Sequence, residues 1–115
     1  MKKEVKIFIE DIKESIEKIE KYTNRMAKKD FLRDDKAQDS VMKRIEVIGE
    51  AVNNIPQEFR KKYHQIPWKD IVGMRNILIH EYFEINLERV WETVEEDLPI
   101  LKKEILKILE QENEP

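Results

Sequence analysis

The chain has 115 residues, of which 41% are charged and 40% hydrophobic, and its formal net charge is −3. A chain of this length is expected to form a single domain over residues 1–115. It has no cysteine, which excludes disulfides and fits a cytoplasmic protein. No signal peptide is expected, because the start of the chain has no apolar core of signal-peptide length. No membrane association is expected, because no uncharged apolar run approaches about 18 residues. The negative net charge argues against a protein that coats nucleic acid through bulk charge.

The first predicted helix covers residues 3–27, where apolar residues recur at steps of three and four. A polar link follows, and within it Phe31 and Leu32 are expected to anchor the chain to the core. The second helix is predicted over residues 37–54.

Gly49 and Glu50 stand out within this second helix. Glycine inside a helix costs about 1 kcal/mol relative to alanine, so another helix is expected to approach closely at Gly49. Glu50 lies near the edge of the apolar stripe, and we interpret it as an exposed or half-exposed acid.

Prolines separate the next elements. Pro56 ends the second helix and opens a short helix over residues 56–63, and Pro67 opens an apolar helix over residues 67–81. A basic run lies between the two prolines, Arg60-Lys61-Lys62-Tyr63-His64. The sequence is therefore compatible with a local phosphate-binding site there.

The last helix begins after a turn in which Asn86 is a plausible N-cap, and it contains Pro99, which should kink or divide it. The polar tail at residues 110–115 is expected to fray. No strand pattern of useful length occurs in the sequence. The predicted fold is therefore an all-α up-and-down bundle of four to five helices, the last one kinked near Pro99.

The octapeptide at residues 75–82 concentrates the polar groups that need an explanation. Its helix carries Arg75, Asn76, His80 and Tyr82 among several large apolar residues, so the segment is expected to be largely buried. Charged or titratable groups in such surroundings cost free energy unless they are paired or used. This octapeptide is therefore the candidate functional site.

Helical geometry divides these four residues into two pairs. At about 100° per residue, Arg75 and Tyr82 fall within about 20° of each other, and Asn76 stacks with His80. His80 lies about 140° around the helix from Arg75, so one straight helix cannot aim all four groups at one point. A second copy of the motif across a dimer axis would complete the site, and the spacing argues for an interface.

RNA cleavage is one chemistry that needs these groups. A base must take the proton of the 2′-hydroxyl, and His80 suits that role because imidazole exchanges protons near neutral pH. Arg75 matches phosphate oxygens through its planar fork. Asn76 could orient the imidazole or the substrate, and Tyr82 could contact phosphate or base.

Two alternatives come from the residues alone. The polar groups could form a satisfied, hydrogen-bonded cluster that locks the bundle, and the protein would then be a purely structural dimer. They could also belong to a metal site, but two histidines sixteen residues apart without a paired acidic ligand make a poor one. No metal and no cofactor are therefore expected.

The arrangement Arg75-Asn76-x-x-x-His80-x-Tyr82 resembles the R-x4-H-x-Y motif of the HEPN superfamily, in particular the HepT-like toxins of type VII toxin–antitoxin modules. Further segments stand in that family's order and extend the resemblance to nearly the whole chain: Ile48-Gly49-Glu50-Ala51, Ile66-Pro67-Trp68, Gly73-Met74-Arg75-Asn76 and His80-Glu81-Tyr82.

The resemblance implies a homodimeric helical bundle that acts as a metal-independent RNA endonuclease, with Arg75 and His80 as the catalytic residues. It also implies a partner, a minimal nucleotidyltransferase that serves as antitoxin by transferring AMP to Tyr82. Phosphate charge and nucleotide bulk at that tyrosine would block the site meant for RNA. The alternative is a non-catalytic subunit that binds the nucleotidyltransferase and a nucleotide or its substrate.

Overall fold

The computed structural model describes residues 1–112, apart from the side chain of Tyr82. Its helices are α1 (Lys3–Tyr22), α2 (Lys28–Phe31), α3 (Asp35–Asn54), α4 (Gln57–Lys62), α5 (Trp68–His80), α6 (Leu87–Glu92) and α7 (Leu98–Glu112). A 3-10 turn spans Tyr82–Glu84, and a π-helical segment spans Thr93–Asp97. No strand occurs in residues 1–112, so the prediction of an all-α fold is confirmed.

Four long rods form the bundle: α1, α3, α5 and the continuous stretch from α6 to α7. Helix α1 packs on α3 and α7, α3 packs on α5, and α5 contacts the π-helical segment that leads into α7. The short helices α2 and α4 lie in the links. This arrangement confirms the up-and-down bundle. Within residues 1–112, no helix is both long enough and apolar enough to cross a membrane.

The core is one cluster of buried apolar side chains, in which isoleucine predominates. Its fully buried members include Ile9, Ile12, Ile16, Ile45, Ile48, Ile71, Ile105 and Ile108. Phe31 is also fully buried and lies 5.1 Å from the ring centre of Trp91, while Leu32 packs against the cluster. Both anchors predicted in the first link are therefore confirmed.

Side-chain caps fix two helix starts. The Asp34 carboxylate accepts a hydrogen bond of 2.9 Å from the Ala37 N–H at the start of α3, which begins two residues earlier than predicted. The Asn86 side-chain oxygen accepts from the N–H groups of Glu88 and Arg89 at 2.9 and 3.2 Å. The predicted N-cap at Asn86 is confirmed.

The predicted end of α1 at residue 27 is wrong, because the helix stops at Tyr22. The Thr23 hydroxyl bonds back to the Ile19 carbonyl at 2.8 Å, and Arg25 adopts a left-handed conformation with φ 65°. The apolar periodicity continued to Met26 because that side chain packs on the core from the link, outside any helix.

The last rod changes its winding next to Pro99. The N–H of Leu98 bonds to the carbonyl of Thr93, five residues back, in the wider turn of the π-helical segment. This confirms that the helix is disturbed at the proline, which has no N–H to donate. Helix α7 continues to Glu112, so fraying of the tail is wrong for residues 110–112, and residues 113–115 lie outside the described part.

Candidate active site

Helix α5 carries the octapeptide and is anchored at its first residue. The Trp68 indole is buried, and its N–H donates hydrogen bonds of 3.1 Å to the carbonyls of Arg60 and Tyr63. The helix ends at His80, and the N–H of Glu81 still bonds to the Ile77 carbonyl at 2.9 Å. Its start is thus fixed to α4, and its end presents the motif histidine.

The prediction that the octapeptide is largely buried is wrong. Only one face of α5 is buried, while Asn76 and His80 are exposed and Ile79 is 42% exposed. The physical reason is the position of the helix in the bundle. It packs on α3 and touches the π-helical segment, which leaves much of its circumference open.

The expected close approach at Gly49 is confirmed, and Arg75 is the residue that approaches. A Cβ atom placed on Gly49 would lie 2.5 Å from the Arg75 Cγ and closer still to its Cβ. Such contacts are shorter than van der Waals packing allows, so glycine is required where α3 and α5 cross. The Arg75 side chain leaves the helix across this glycine.

The Arg75 guanidinium is held between two partners. Its Nη2 lies 2.8 Å from a Glu50 carboxylate oxygen, and its Nη1 donates to the Asn76 side-chain oxygen at 2.9 Å. The buried Nε has no hydrogen-bond partner in the described part of the chain. The Arg75 side chain is 21% exposed and Glu50 is 58% exposed, so solvent reaches the pair. An exposed pair of this kind contributes about 0–1 kcal/mol, and a phosphate could displace the carboxylate.

Glu50 is the site residue that sequence reasoning did not assign. Its interpretation as an exposed acid is confirmed, but the pairing with Arg75 was not predicted. The available signal was its position beside Gly49, because the residue next to a close helix crossing is well placed to reach the other helix.

His80 is separated from this cluster. Its side chain makes no hydrogen bond or ion pair with the described residues, and it stands at the exposed C-terminal end of α5. Five helical residues put it about 140° and about 7.5 Å along the axis from Arg75. One chain therefore brings together Arg75, Asn76 and Glu50, but not His80. Of Tyr82 only the backbone is described, at the start of the 3-10 turn.

A shallow apolar groove of about 320 Å³ runs beside the Arg75–Glu50 pair. It lies between α1, α3 and α5, and Phe8, Val47, Ala51 and Ile79 contribute its apolar walls. Ile79 on its α5 side is 42% exposed. Exposed apolar surface beside a polar cluster is typical of a surface that another macromolecule covers.

Comparison with known proteins matches residues 12–108 to a family described as "Ribonuclease HepT-like". The chain is 52% identical over 111 residues to a Methanocaldococcus jannaschii protein named "Gamma-glutamylcyclotransferase and putative RNase". That match covers 96% of this chain but only half of the relative. The chain is also 44% identical over 108 residues to a "Probable ribonuclease HepT" of Thermococcus cleftensis, covering 94% of this chain and 98% of the relative. No solved structure matches the chain significantly.

Proposed function

Because this chain belongs to the HepT-like ribonuclease family, we propose that it cleaves RNA at a site formed by Arg75 and His80. The observation that carries the proposal is the Arg75 guanidinium, fixed by Glu50 and Asn76 where solvent can still reach it. A cation held in one orientation is suited to bind the non-bridging oxygens of a phosphodiester. The exposed imidazole of His80 supplies the base on the same helix.

The reaction needs no group beyond those of protein and RNA. His80 takes the proton of a 2′-hydroxyl, and the 2′-oxygen attacks the adjacent phosphorus. The bond to the 5′-oxygen of the next nucleotide breaks, and that oxygen takes up a proton from an imidazolium or from water. Arg75 stabilises the negative charge that grows on the phosphate oxygens. The products are a 2′,3′-cyclic phosphate and a 5′-hydroxyl.

The active unit in this proposal is a homodimer. Arg75 and His80 of one chain diverge by about 140° around α5, so a second copy is needed to place an imidazole opposite each guanidinium. The apolar groove beside Glu50, with Ile79 on its wall, supports an interface at this face.

Regulation by a nucleotidyltransferase antitoxin is part of the proposed function, as in a toxin–antitoxin module. Transfer of AMP would join the Tyr82 oxygen to the α-phosphorus of ATP, with pyrophosphate as the leaving group. The neighbouring residues Glu81 and Phe83 are exposed, which supports access of such an enzyme to this turn. The added phosphate and nucleotide would compete with RNA for Arg75.

RNA cleavage by the purified protein in the presence of EDTA tests the proposal. We expect the wild type to yield cyclic-phosphate ends, and His80→Ala and Arg75→Ala to lower the rate by about 10²–10⁴-fold. Asn24→Ala, at an exposed position outside the motif, is the control and should cleave normally. A wild type that folds but leaves RNA intact would refute the proposal and favour a non-catalytic subunit.

A separate experiment tests the regulation. The intact mass of the protein after co-expression with the nucleotidyltransferase should rise by AMP units in the wild type but not in Tyr82→Phe.

A further inference from the structure

A second pocket lies at the opposite end of α5 from His80. It has a volume of about 410 Å³ and is formed by α4, the link after it and the first turn of α5. Arg60 and Lys61 of α4, His64 of the link and Lys69 of α5 line it, and Asp70 is its one acid. Nothing in the proposed chemistry at Arg75 and His80 uses this pocket.

The basic groups of this pocket are not neutralised by the protein. Within residues 1–112, Arg60, Lys61 and Lys69 have no carboxylate partner within 4.0 Å, and the buried Nε of Arg60 has no hydrogen-bond partner. By contrast, the adjacent Lys62 turns away to Glu112 at 2.6 Å. In a chain of net charge −3, a concentration of unpaired cations around one cavity attracts anions.

The buried apolar residues at the base of the pocket limit the ways in which it can recognise a ligand. Ile66 and Trp68 are 3% and 7% exposed, and the Trp68 indole N–H is already engaged with two carbonyls. An indole so deeply buried offers no face on which a base could stack. The recognition available here is therefore charge and hydrogen bonding from Arg60, Lys61 and Lys69 to phosphate oxygens.

The exposed face of α5 leads from this pocket to the motif histidine. Lys69 and His80 are eleven residues apart, so they lie within about 20° of each other and about 16 Å apart along the axis. Asn76 and Gly73 fall on the same stripe between them. A Cβ placed on Gly73 would meet no atom within 4 Å, so the middle of this track is open and flat.

We propose that this pocket, lined by Arg60, Lys61 and Lys69, binds a backbone phosphate of the RNA substrate several nucleotides away from the cleaved bond. The inference rests on the proposed ribonuclease function and adds a second anchoring point to it. RNA held here would run along the stripe of α5 to His80. We expect base identity to matter little here, because the three cations recognise phosphate and the buried Trp68 indole offers no stacking face.

The test compares two pairs of lysine substitutions that remove the same charge. Lys61→Gln/Lys69→Gln alters the pocket at two exposed positions, and Lys13→Gln/Lys21→Gln alters α1, which packs on α3 and α7. Both are made in a His80→Ala background, and affinity for a single-stranded oligoribonucleotide is measured over a series of salt concentrations. We expect the pocket pair to weaken binding several-fold and to lower the salt slope by about 0.7 for each phosphate that is no longer neutralised. The α1 pair should bind as the parent does.

Cleavage in the wild-type background separates the two proposals. The pocket pair should cleave a dinucleoside phosphate at the normal rate but show a raised KM on the long strand. A wild type that cleaves neither substrate refutes the ribonuclease function. The affinity comparison of the two lysine pairs would still test whether the pocket binds RNA. Equal affinities and salt slopes for the two lysine pairs would overturn the inference, and would point to an acidic protein surface as the ligand of the pocket.

Discussion

The Arg75 side chain is positioned by a residue that has no side chain. Gly49 lets the Cβ and Cγ atoms of Arg75 lie directly against the backbone of α3. The guanidinium then turns to Glu50, one residue further along the same helix. Two consecutive residues of α3 thus set the path of the candidate catalytic cation and one of its hydrogen bonds, and Asn76 of α5 accepts the other.

Replacing each glycine of the chain by alanine should change stability in opposite directions. Both glycines lie inside helices, so alanine gains about 0.5–1 kcal/mol from helix propensity at either position. At Gly73 nothing opposes that gain, and the free energy of unfolding should rise. At Gly49 the new methyl group meets Arg75, and overpacking costs about 1–3 kcal/mol, so the free energy of unfolding should fall.

Urea unfolding of the two variants measures this difference, and cleavage of RNA should be impaired in Gly49→Ala. Equal stabilisation of the protein by both substitutions would contradict the steric role of Gly49.

What could be predicted at the level of residues followed from helix geometry. The closeness of another helix at Gly49 and the divergence of Arg75 from His80 need only propensity and the 100° turn. The position of Glu50 beside Gly49 indicates that it can reach another helix, but it does not identify Arg75 as the partner, because the pairing depends on which helices become neighbours and on their register. The burial of the octapeptide was predicted wrongly for a related reason. Its isoleucines indicate an apolar segment but not how many sides of it other helices cover.

Helix α7 is held to α4 through one carboxylate near its end. Lys62 lies 2.6 Å from a Glu112 oxygen, and the hydroxyl of Tyr63 donates to the same atom. Hydrogen bonds from Lys62 and Tyr63 hold the pKa of the Glu112 carboxyl at about 2, below its ordinary value of 4.5. The contact joins residues about fifty positions apart, and it orders a stretch whose polar composition predicts fraying.

Glu112→Gln should lower the melting temperature at neutral pH, and the melting temperature of the variant should depend less on pH than that of the wild type. A carboxyl whose pKa is depressed on folding stabilises the protein above pH 4.5, and this contribution disappears as pH falls towards 2. The melting temperatures of wild type and variant should therefore differ at pH 7 and converge near pH 2. Glu110→Gln makes an equal charge change at an exposed position, and its melting temperature should stay close to that of the wild type at every pH from 7 to 2. A constant gap between wild type and Glu112→Gln down to pH 2 would contradict this assignment.

At the scale of the whole molecule, the proposed site divides between two chains. Mixed dimers of Arg75→Ala and His80→Ala chains would contain one site with both substitutions and one with neither. If chains pair at random, about half of the dimers are mixed, and RNA cleavage should recover to about a quarter of the wild-type rate. Each variant alone should stay inactive.

The control for this experiment is a chain that carries both substitutions. Mixed with either single variant it cannot rebuild a complete site, so no cleavage should return. Mixed dimers that form but remain inactive would mean that each site uses Arg75 and His80 of the same chain.

The close approach at Gly49 also limits how the sequence can vary. A methyl group at position 49 collides with the Cβ of residue 75, an atom that every amino acid except glycine carries. Shortening the arginine would therefore not rescue a substitution of the glycine, and the two changes would not compensate each other. Any mutational route that alters position 49 has to move α3 away from α5 before it can be tolerated. The constraint therefore acts on the distance between the backbones of α3 and α5. The Arg75 side chain passes through the narrow gap between them.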